Sequence, residues 1–146
     1  HVASAQGIIA AEHIAGITPN PINYSNIPSC TYCYPEVGSI GLTEEKAIDA
    51  GYDVKVGRFF LKANGKSMAT GETNGLLKLI FESKYGELIG AHIVGSNATE
   101  LIGELGIAMS LEARWEDLAF QIHAHPTLSE AIMEASMDAF SSSIHQ

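Results

Sequence analysis

The residues with the clearest chemical potential lie in one short segment, His123-Ala124-His125-Pro126-Thr127-Leu128-Ser129-Glu130. A proline disfavours helical backbone at the residue before it, so we expect His125 to be extended. Thr127 and Glu130 match a Thr-x-x-Glu capping box, which would open a helix with Glu130 in its first turn. A carboxylate there can orient an imidazole and favour its protonated form. The spacing is therefore compatible with an acid/base pair held just before a helix.

Two other interpretations of this segment stay open on the residues alone. Thr-x-x-Glu is common as a pure helix cap in which the glutamate bonds only to backbone, and the spacing by itself slightly favours that interpretation. A metal site built on His123 and His125 would need a third and a fourth ligand, and no convincing candidates stand nearby. We therefore predict no metal site.

Cys30 and Cys33 form a second motif, C-x-x-C. This pattern occurs in thioredoxin-like redox sites and in zinc sites. The chain has no second cysteine pair for zinc, and no βαβ pattern surrounds the motif. We interpret both cysteines as inert, buried small residues whose odd spacing places them on opposite faces of a strand.

Length and composition predict a globular protein of ordinary domain size. The chain has 146 residues, of which 46% are hydrophobic and 17% charged. A formal net charge of −9 argues against nucleic acid and anionic membranes as partners. We see no apolar run long enough for a membrane span, no signal-peptide pattern and no disulfide framework. The expected location is the bacterial cytoplasm or an organelle matrix.

Hydrophobic periodicity predicts the elements that position these residues. Leu77, Leu79 and Phe81 alternate as on one face of a strand, and a Gly-containing connection over 84–87 predicts a hairpin. Strands followed by helices gathered at the end indicate an α+β fold, with a mostly antiparallel sheet flanked by helices. We predict strands over 29–34, 37–42, 54–61, 76–83 and 88–94, and helices over 1–15, 43–51, 98–112, 115–120 and 128–140.

The first residues suggest that the chain is a segment of a longer protein. A helix over 1–15 begins without a cap or an initiator methionine. Residues 16–29 hold three of the five prolines and little periodicity, which indicates a linker. We therefore divide the chain into residues 1–27, a terminal helix with its linker, and a second domain over 28–146.

Small residues four apart mark the last predicted helix, at Ala131, Ala135 and Ala139. A strip of this kind lets a helix approach its neighbour closely. The neighbour would be either the domain's own sheet or a partner subunit.

The segment around His125 resembles the C-terminal signature of the pyridine nucleotide-disulfide oxidoreductases, most closely their lipoamide dehydrogenase branch. Tyr34-Pro35-Glu36-Val37 with Gly41 is similar to the family's entry strands, and Gly90-Ala91-His92-Ile93-Val94-Gly95 to its central strand. His1-x-Ala3 with Gly7 resembles the end of the family's FAD domain, which makes His1 a weak cofactor-binding match. The resemblance covers almost the whole chain.

The resemblance implies the dimerisation domain of an FAD/NAD-linked reductase, with roles for five residues. His125 matches the family's acid/base and Glu130 the carboxylate that orients it. His123, Pro126 and Thr127 match positions that support or position this pair. In a homodimer, the pair would deprotonate the dihydrolipoamide thiol in the partner subunit's disulfide and FAD site, during NAD-linked oxidation.

The implied whole enzyme is a dihydrolipoamide dehydrogenase that uses FAD and NAD. It would serve the lipoyl domains of 2-oxoacid dehydrogenase or glycine cleavage complexes. The Gly-rich dinucleotide fingerprints are absent from this sequence, so we expect the chain alone to bind neither cofactor and to be inactive. Two alternatives stay open: the same domain of a glutathione or mercuric reductase, and a non-enzymatic interaction module.

Overall fold

The protein folds around one five-stranded sheet in which every pair of neighbouring strands is antiparallel. The structure, a computed structural model, describes residues 1–141 and residue 144. The strands are β1 (Ser29–Thr31), β2 (Glu36–Gly41), β3 (Val54–Phe60), β4 (Leu76–Glu82) and β5 (Leu88–Gly95). Their order across the sheet is β1-β2-β5-β4-β3. The expected α+β fold with an antiparallel sheet is confirmed.

Helices cover the sheet and connect its strands. They are α1 (Val2–Ile14), α2 (Glu44–Asp49), α3 (Gly65–Thr70), α4 (Ala98–Ser110), α5 (Trp115–Ala119) and α6 (Glu130–Ala139), with single turns of 3-10 helix at Tyr24–Asn26 and Leu61–Ala63. Helix α4 packs against β2 and β5, and α6 packs against β3 and β4. Helix α1 buries none of its side chains within this chain. No helix in the described part of the chain is long and apolar enough to span a membrane.

The core lies between one face of the sheet and the helices α4 and α6. Leu77, Leu79 and Phe81 are all fully buried on that face, as their alternation predicts. They belong to one cluster with Leu105 of α4 and Ile132 of α6. Burying a side chain of this size contributes about 1.5–3 kcal/mol, so the cluster is what holds the two helices to the sheet.

Two glycines set how closely these helices approach the sheet. A Cβ added at Gly57 of β3 would lie 1.8 Å from the carbonyl oxygen of Ala135, and one at Gly38 of β2 would lie 2.6 Å from that of Ala98. Both contacts are far shorter than any real Cβ contact. The small-residue strip of α6 therefore packs against the domain's own sheet. The sequence had left either this sheet or a partner subunit as the neighbour of the strip.

The C-terminal end of α6 is held by aromatic rings. Phe140 stacks on Trp115 with ring centroids 4.3 Å apart and meets Phe81 edge to face at 5.8 Å. The ammonium of Lys55 lies 4.6 Å from the Phe140 ring centroid. Trp115 thus packs against the core, and α6 is fixed at the end opposite to His125.

Some of the expected element bounds were wrong. Helix α3 was not predicted, α6 begins at Glu130 rather than at residue 128, and α4 ends two residues before residue 112. Strand β1 stops at Thr31, so Cys33 lies beyond it in a bend and is exposed. Cys30 is half-buried against the core. The expectation of two buried cysteines on opposite faces of one strand was therefore wrong for Cys33.

Candidate acid/base site

His125 lies in the irregular segment between α5 and α6, five residues before Glu130, with which α6 begins. Its side chain is 75% exposed, whereas that of Glu130 is only 22% exposed. The peptide bond between His125 and Pro126 is cis. These exposures place the imidazole at the surface and the carboxylate behind it.

The imidazole of His125 and the carboxylate of Glu130 form a direct hydrogen bond. Nδ1 lies 2.8 Å from Oε1. An ionised carboxylate can only accept, so Nδ1 carries the proton and donates it. In the neutral ring the other nitrogen, Nε2, is then the one with a free lone pair. The pair is therefore arranged to take up a proton at Nε2.

The second oxygen of Glu130 accepts a hydrogen bond from the backbone. The N–H of Thr127 donates to Oε2 at 2.8 Å. Burial raises the pKa of Glu130, but the hydrogen bonds from Thr127 and His125 and the charges of His125 and His123 lower it, and the net pKa lies below the ordinary 4.5. Glu130 is thus held as an anion, which stabilises a positive charge on His125.

Thr127 does not act as the expected helix cap. Its hydroxyl donates to the carbonyl of Ala124 at 2.7 Å, and Ser129, not Thr127, occupies the position before α6. A capping box consists of two hydrogen bonds, and only one of them is present here. It is the bond in which the carboxylate of Glu130 accepts from the backbone N–H of Thr127. Thr127 instead closes the turn that carries His125. Glu130 therefore serves both interpretations drawn from the sequence, because one oxygen bonds to backbone and the other to the imidazole.

A shallow cleft of about 260 Å³ opens beside the imidazole. Phe59, Met68 and Met133 contribute apolar surface, and His125 and Glu130 line it together with Asn64, Gly65, Ala63 and Glu134. The cleft can therefore receive a small apolar group with a protic atom near the ring.

The family model of the pyridine nucleotide-disulphide oxidoreductase dimerisation domain matches residues 27–136. The chain belongs to this family. It is 49% identical over 142 residues to a dihydrolipoyl dehydrogenase of Rhizobium etli, covering 96% of this chain and 29% of that protein. It is 48% identical over 142 residues to the one of Chlorobaculum tepidum, covering 97% and 30%.

Solved structures agree with the family. LpdA from Mycobacterium tuberculosis superimposes with a TM-score of 0.84 at 25% identity, over 92% of this chain and 29% of that chain. The HOCl-induced flavoprotein disulfide reductase RclA from Escherichia coli gives 0.81 at 25% identity, over 88% and 30%. The chain thus spans about three tenths of the length of the curated relatives named above.

His123, two residues before His125, makes its own carboxylate pair in this dimerisation domain. Its Nε2 lies 2.8 Å from Oε1 of Glu104 on α4, and its side chain is only 8% exposed. Its Nδ1 is buried, with no hydrogen-bond partner in the part of the chain that the structure describes. Glu104 was missed by the sequence reasoning. A positioning role for His123 stays a prediction.

Other sequence candidates lie outside this arrangement. His1 is exposed and precedes α1, and its cofactor role stays a prediction. Cys30 and Cys33 are free thiols, and the thiol of Cys33 lies 3.0 Å from the carbonyl of Pro35. Within residues 1–141 and at residue 144, no group of three His, Cys, Asp or Glu side chains could hold a metal ion. His92 is half-buried, with Nε2 3.0 Å from the carbonyl of Leu42.

Two residues that the sequence reasoning missed contact the site from α3. Asn64 bonds to the turn that carries His125, and a Cβ added at Gly65 would lie 3.7 Å from Cε1 of the imidazole. The available signal was an asparagine, Asn64, followed seven residues later by a glycine, Gly71. Asparagine is a strong N-cap and glycine a strong helix terminator, so this pattern is typical of a one- to two-turn helix.

Proposed function

We propose that this chain is the C-terminal dimerisation domain of a dihydrolipoyl dehydrogenase. Residues 28–146 would form the domain, and residues 1–27 the end of the preceding FAD domain with its linker. The observation that carries this proposal is the His125–Glu130 pair, with its 2.8 Å hydrogen bond and its exposed imidazole. The names of the relatives support the lipoamide branch over glutathione or mercuric reductases.

The pair would act as the acid/base for a thiol. A thiol with a pKa of about 8.5 is only a few per cent ionised at neutral pH, so it needs a base to become a strong nucleophile. Nε2 of His125 would accept the proton while Nδ1 stays bonded to Glu130. The carboxylate stabilises the imidazolium formed in this step, and the imidazolium later returns the proton.

In the whole enzyme the thiol would be that of dihydrolipoamide, and the imidazole would act in the partner subunit's site. FAD and NAD would be bound by other parts of that enzyme. A dinucleotide site needs a parallel βαβ unit with a Gly-rich turn, and the sheet described above is antiparallel throughout. The residues present do not fit these cofactors, so we propose that the chain alone binds neither and is inactive.

The partners would follow from the same proposal. A dimerisation domain that displays a preformed acid/base pair on its surface suits a homodimer in which each subunit completes the other's site. The whole enzyme would then oxidise lipoyl groups of 2-oxoacid dehydrogenase or glycine cleavage complexes, in the cytoplasm or an organelle matrix.

Replacing His125 in the full-length enzyme tests this function. Glutamine at position 125 can still bond to Glu130 but cannot take up a proton, so His125→Gln should lower turnover by about 10²–10⁴-fold. The flavin absorbance should be retained, because FAD would be bound by other parts of the enzyme. His123→Gln is the matched control and should lower turnover less than His125→Gln does. Unchanged turnover in His125→Gln would refute the acid/base role.

A further inference from the structure

Asn64 is a buried polar residue that joins two parts of the chain. Its side chain is almost fully buried, with 3% of the residue exposed. Oδ1 accepts from the backbone N–H of Ser67 at 2.9 Å, which caps α3. Nδ2 donates to the backbone carbonyl of Thr127 at 3.0 Å, across 63 positions of sequence. Because both ends of the amide are used, the side chain ties α3 to the turn before α6.

The bond to Thr127 leads directly to the acid/base pair. The carbonyl of Thr127 is held by Asn64, and its N–H is held by Oε2 of Glu130 at 2.8 Å. The other oxygen of that carboxylate bonds to His125. Four residues, Asn64, Thr127, Glu130 and His125, thus form one continuous set of hydrogen bonds. Any shift of Thr127 moves the backbone donor that fixes the carboxylate.

Helix α3 is itself firmly placed, so Asn64 can act as an anchor. Leu61, three residues earlier, is fully buried, and its N–H donates to the carbonyl of Gly75 at 3.0 Å. Cβ atoms added at Gly75 or Gly95 would lie 2.4 and 2.6 Å from its side chain, so Leu61 fills the space left by two glycines. The sheet therefore sets the position of Asn64, and through it that of the turn.

We propose that Asn64 is a positioning residue for the His125–Glu130 pair. Its amide would hold the Thr127 turn where Glu130 can bond to both the backbone and Nδ1. The catalytic consequence rests on the proposed function above. The positioning of the pair by Asn64 does not rest on the proposed function, because it concerns only which nitrogen of His125 carries the proton.

The competing possibility is that Asn64 only caps α3 and stabilises the fold. Two substitutions separate the roles. Asn64→Asp keeps an acceptor for the N–H of Ser67 but has no donor for Thr127. Asn64→Ala lacks both groups and adds no charge. The two variants share the loss of the Nδ2 donor, so an effect common to both reports on the bond to Thr127.

The test measures the tautomer of His125 by nitrogen NMR of the 146-residue chain at about pH 8.5, where imidazoles are neutral. The unsubstituted chain should carry the proton on Nδ1, because Glu130 accepts there. Both Asn64 variants should shift towards the Nε2-protonated form that free imidazole prefers. Thr43→Ala, which removes the side-chain cap of α2 instead, should lose stability without changing the tautomer.

A second measurement uses turnover of the full-length enzyme. The Asn64 variants should lose about 10- to 100-fold in kcat, the range expected when a reacting group is misplaced by about 1 Å. If Asn64→Ala does not fold, Asn64→Asp decides alone, since it keeps the cap. A folded Asn64→Asp protein with the original tautomer would overturn the proposal. If instead His125→Gln leaves turnover intact, the proposed function fails, while the tautomer still decides the positioning role.

Discussion

Substitution of Glu130 by glutamine tests the dual role of its carboxylate. In the structure, each oxygen accepts from a different donor, Nδ1 of His125 at Oε1 and the N–H of Thr127 at Oε2. Glutamine has nearly the same shape but one oxygen and one NH₂ group. In Glu130→Gln one of the two donors therefore meets the NH₂ group of the amide. If that donor is Nδ1, the imidazole can accept from the NH₂ group only by moving its proton to Nε2.

The size of the effect follows from the exposure of the groups. A hydrogen bond to a charged group contributes about 1.5–3 kcal/mol, and this value falls where solvent can replace the partner. Glu130 is mostly covered but His125 is mostly exposed. We therefore expect Glu130→Gln to lower the free energy of unfolding by about 1–2 kcal/mol. The same loss of support for the imidazolium in the transition state would lower kcat/KM by about 5- to 30-fold.

The pKa of Glu130 determines how its contribution to the free energy of unfolding changes with pH. The pKa of Glu130 in the folded chain lies below its ordinary 4.5, so its contribution is fully present above that value and is lost as pH falls through the folded-state pKa. The difference in unfolding free energy between the unsubstituted chain and Glu130→Gln should shrink as pH falls below 4.5. Urea denaturation at a series of pH values measures it.

The matched control is Glu104→Gln, the same chemical change in the other histidine–carboxylate pair. It should affect stability through the buried ring of His123 but should lower kcat/KM less than Glu130→Gln does. A stability difference for Glu130→Gln that does not change with pH would refute the reasoning. So would unchanged kcat/KM in a folded variant.

Two further predictions concern the domain as a whole. Gly57→Ala should destabilise the chain by about 1–3 kcal/mol or more in urea denaturation, because its Cβ would meet the carbonyl of Ala135. Gly103→Ala, at an open helical position, should instead be neutral or slightly stabilising, and an equal loss in both would contradict the packing argument. Finally, the purified chain should be a dimer by light scattering at micromolar concentration and show no flavin absorbance. A monomer or a yellow preparation would count against the proposed function.

The sheet and its main helices could be predicted because their signals are local. Alternation at Leu77, Leu79 and Phe81 gave β4, and the Gly-containing connection gave the hairpin to β5. Hydrophobic periodicity could not reveal helix α3, since it buries little apolar surface of its own, and its only local signal was the cap and terminator pattern of Asn64 and Gly71. It depends on a cap from Asn64 and on the burial of Leu61 against two distant glycines.

The site was predictable only in part, for the same reason. The spacing of His125 and Glu130 is short enough for one local motif to bring them together, as the structure does. The capping-box spacing predicts that the hydroxyl of Thr127 bonds to the backbone N–H of Glu130. In the structure it donates to the carbonyl of Ala124 instead. The contacts of Asn64 with Thr127 and of Glu104 with His123 join residues far apart in sequence. No local pattern indicates such pairs.

The exposed imidazole has a consequence for assembly. His125 takes its orientation from Glu130 of its own chain, so the ring is already ordered before any other surface meets it. Ordering a flexible side chain during association costs about 0.5–1.5 kcal/mol, and here that entropy is lost during folding instead. In the proposed homodimer, the domain would then dock onto a second subunit with this imidazole already oriented.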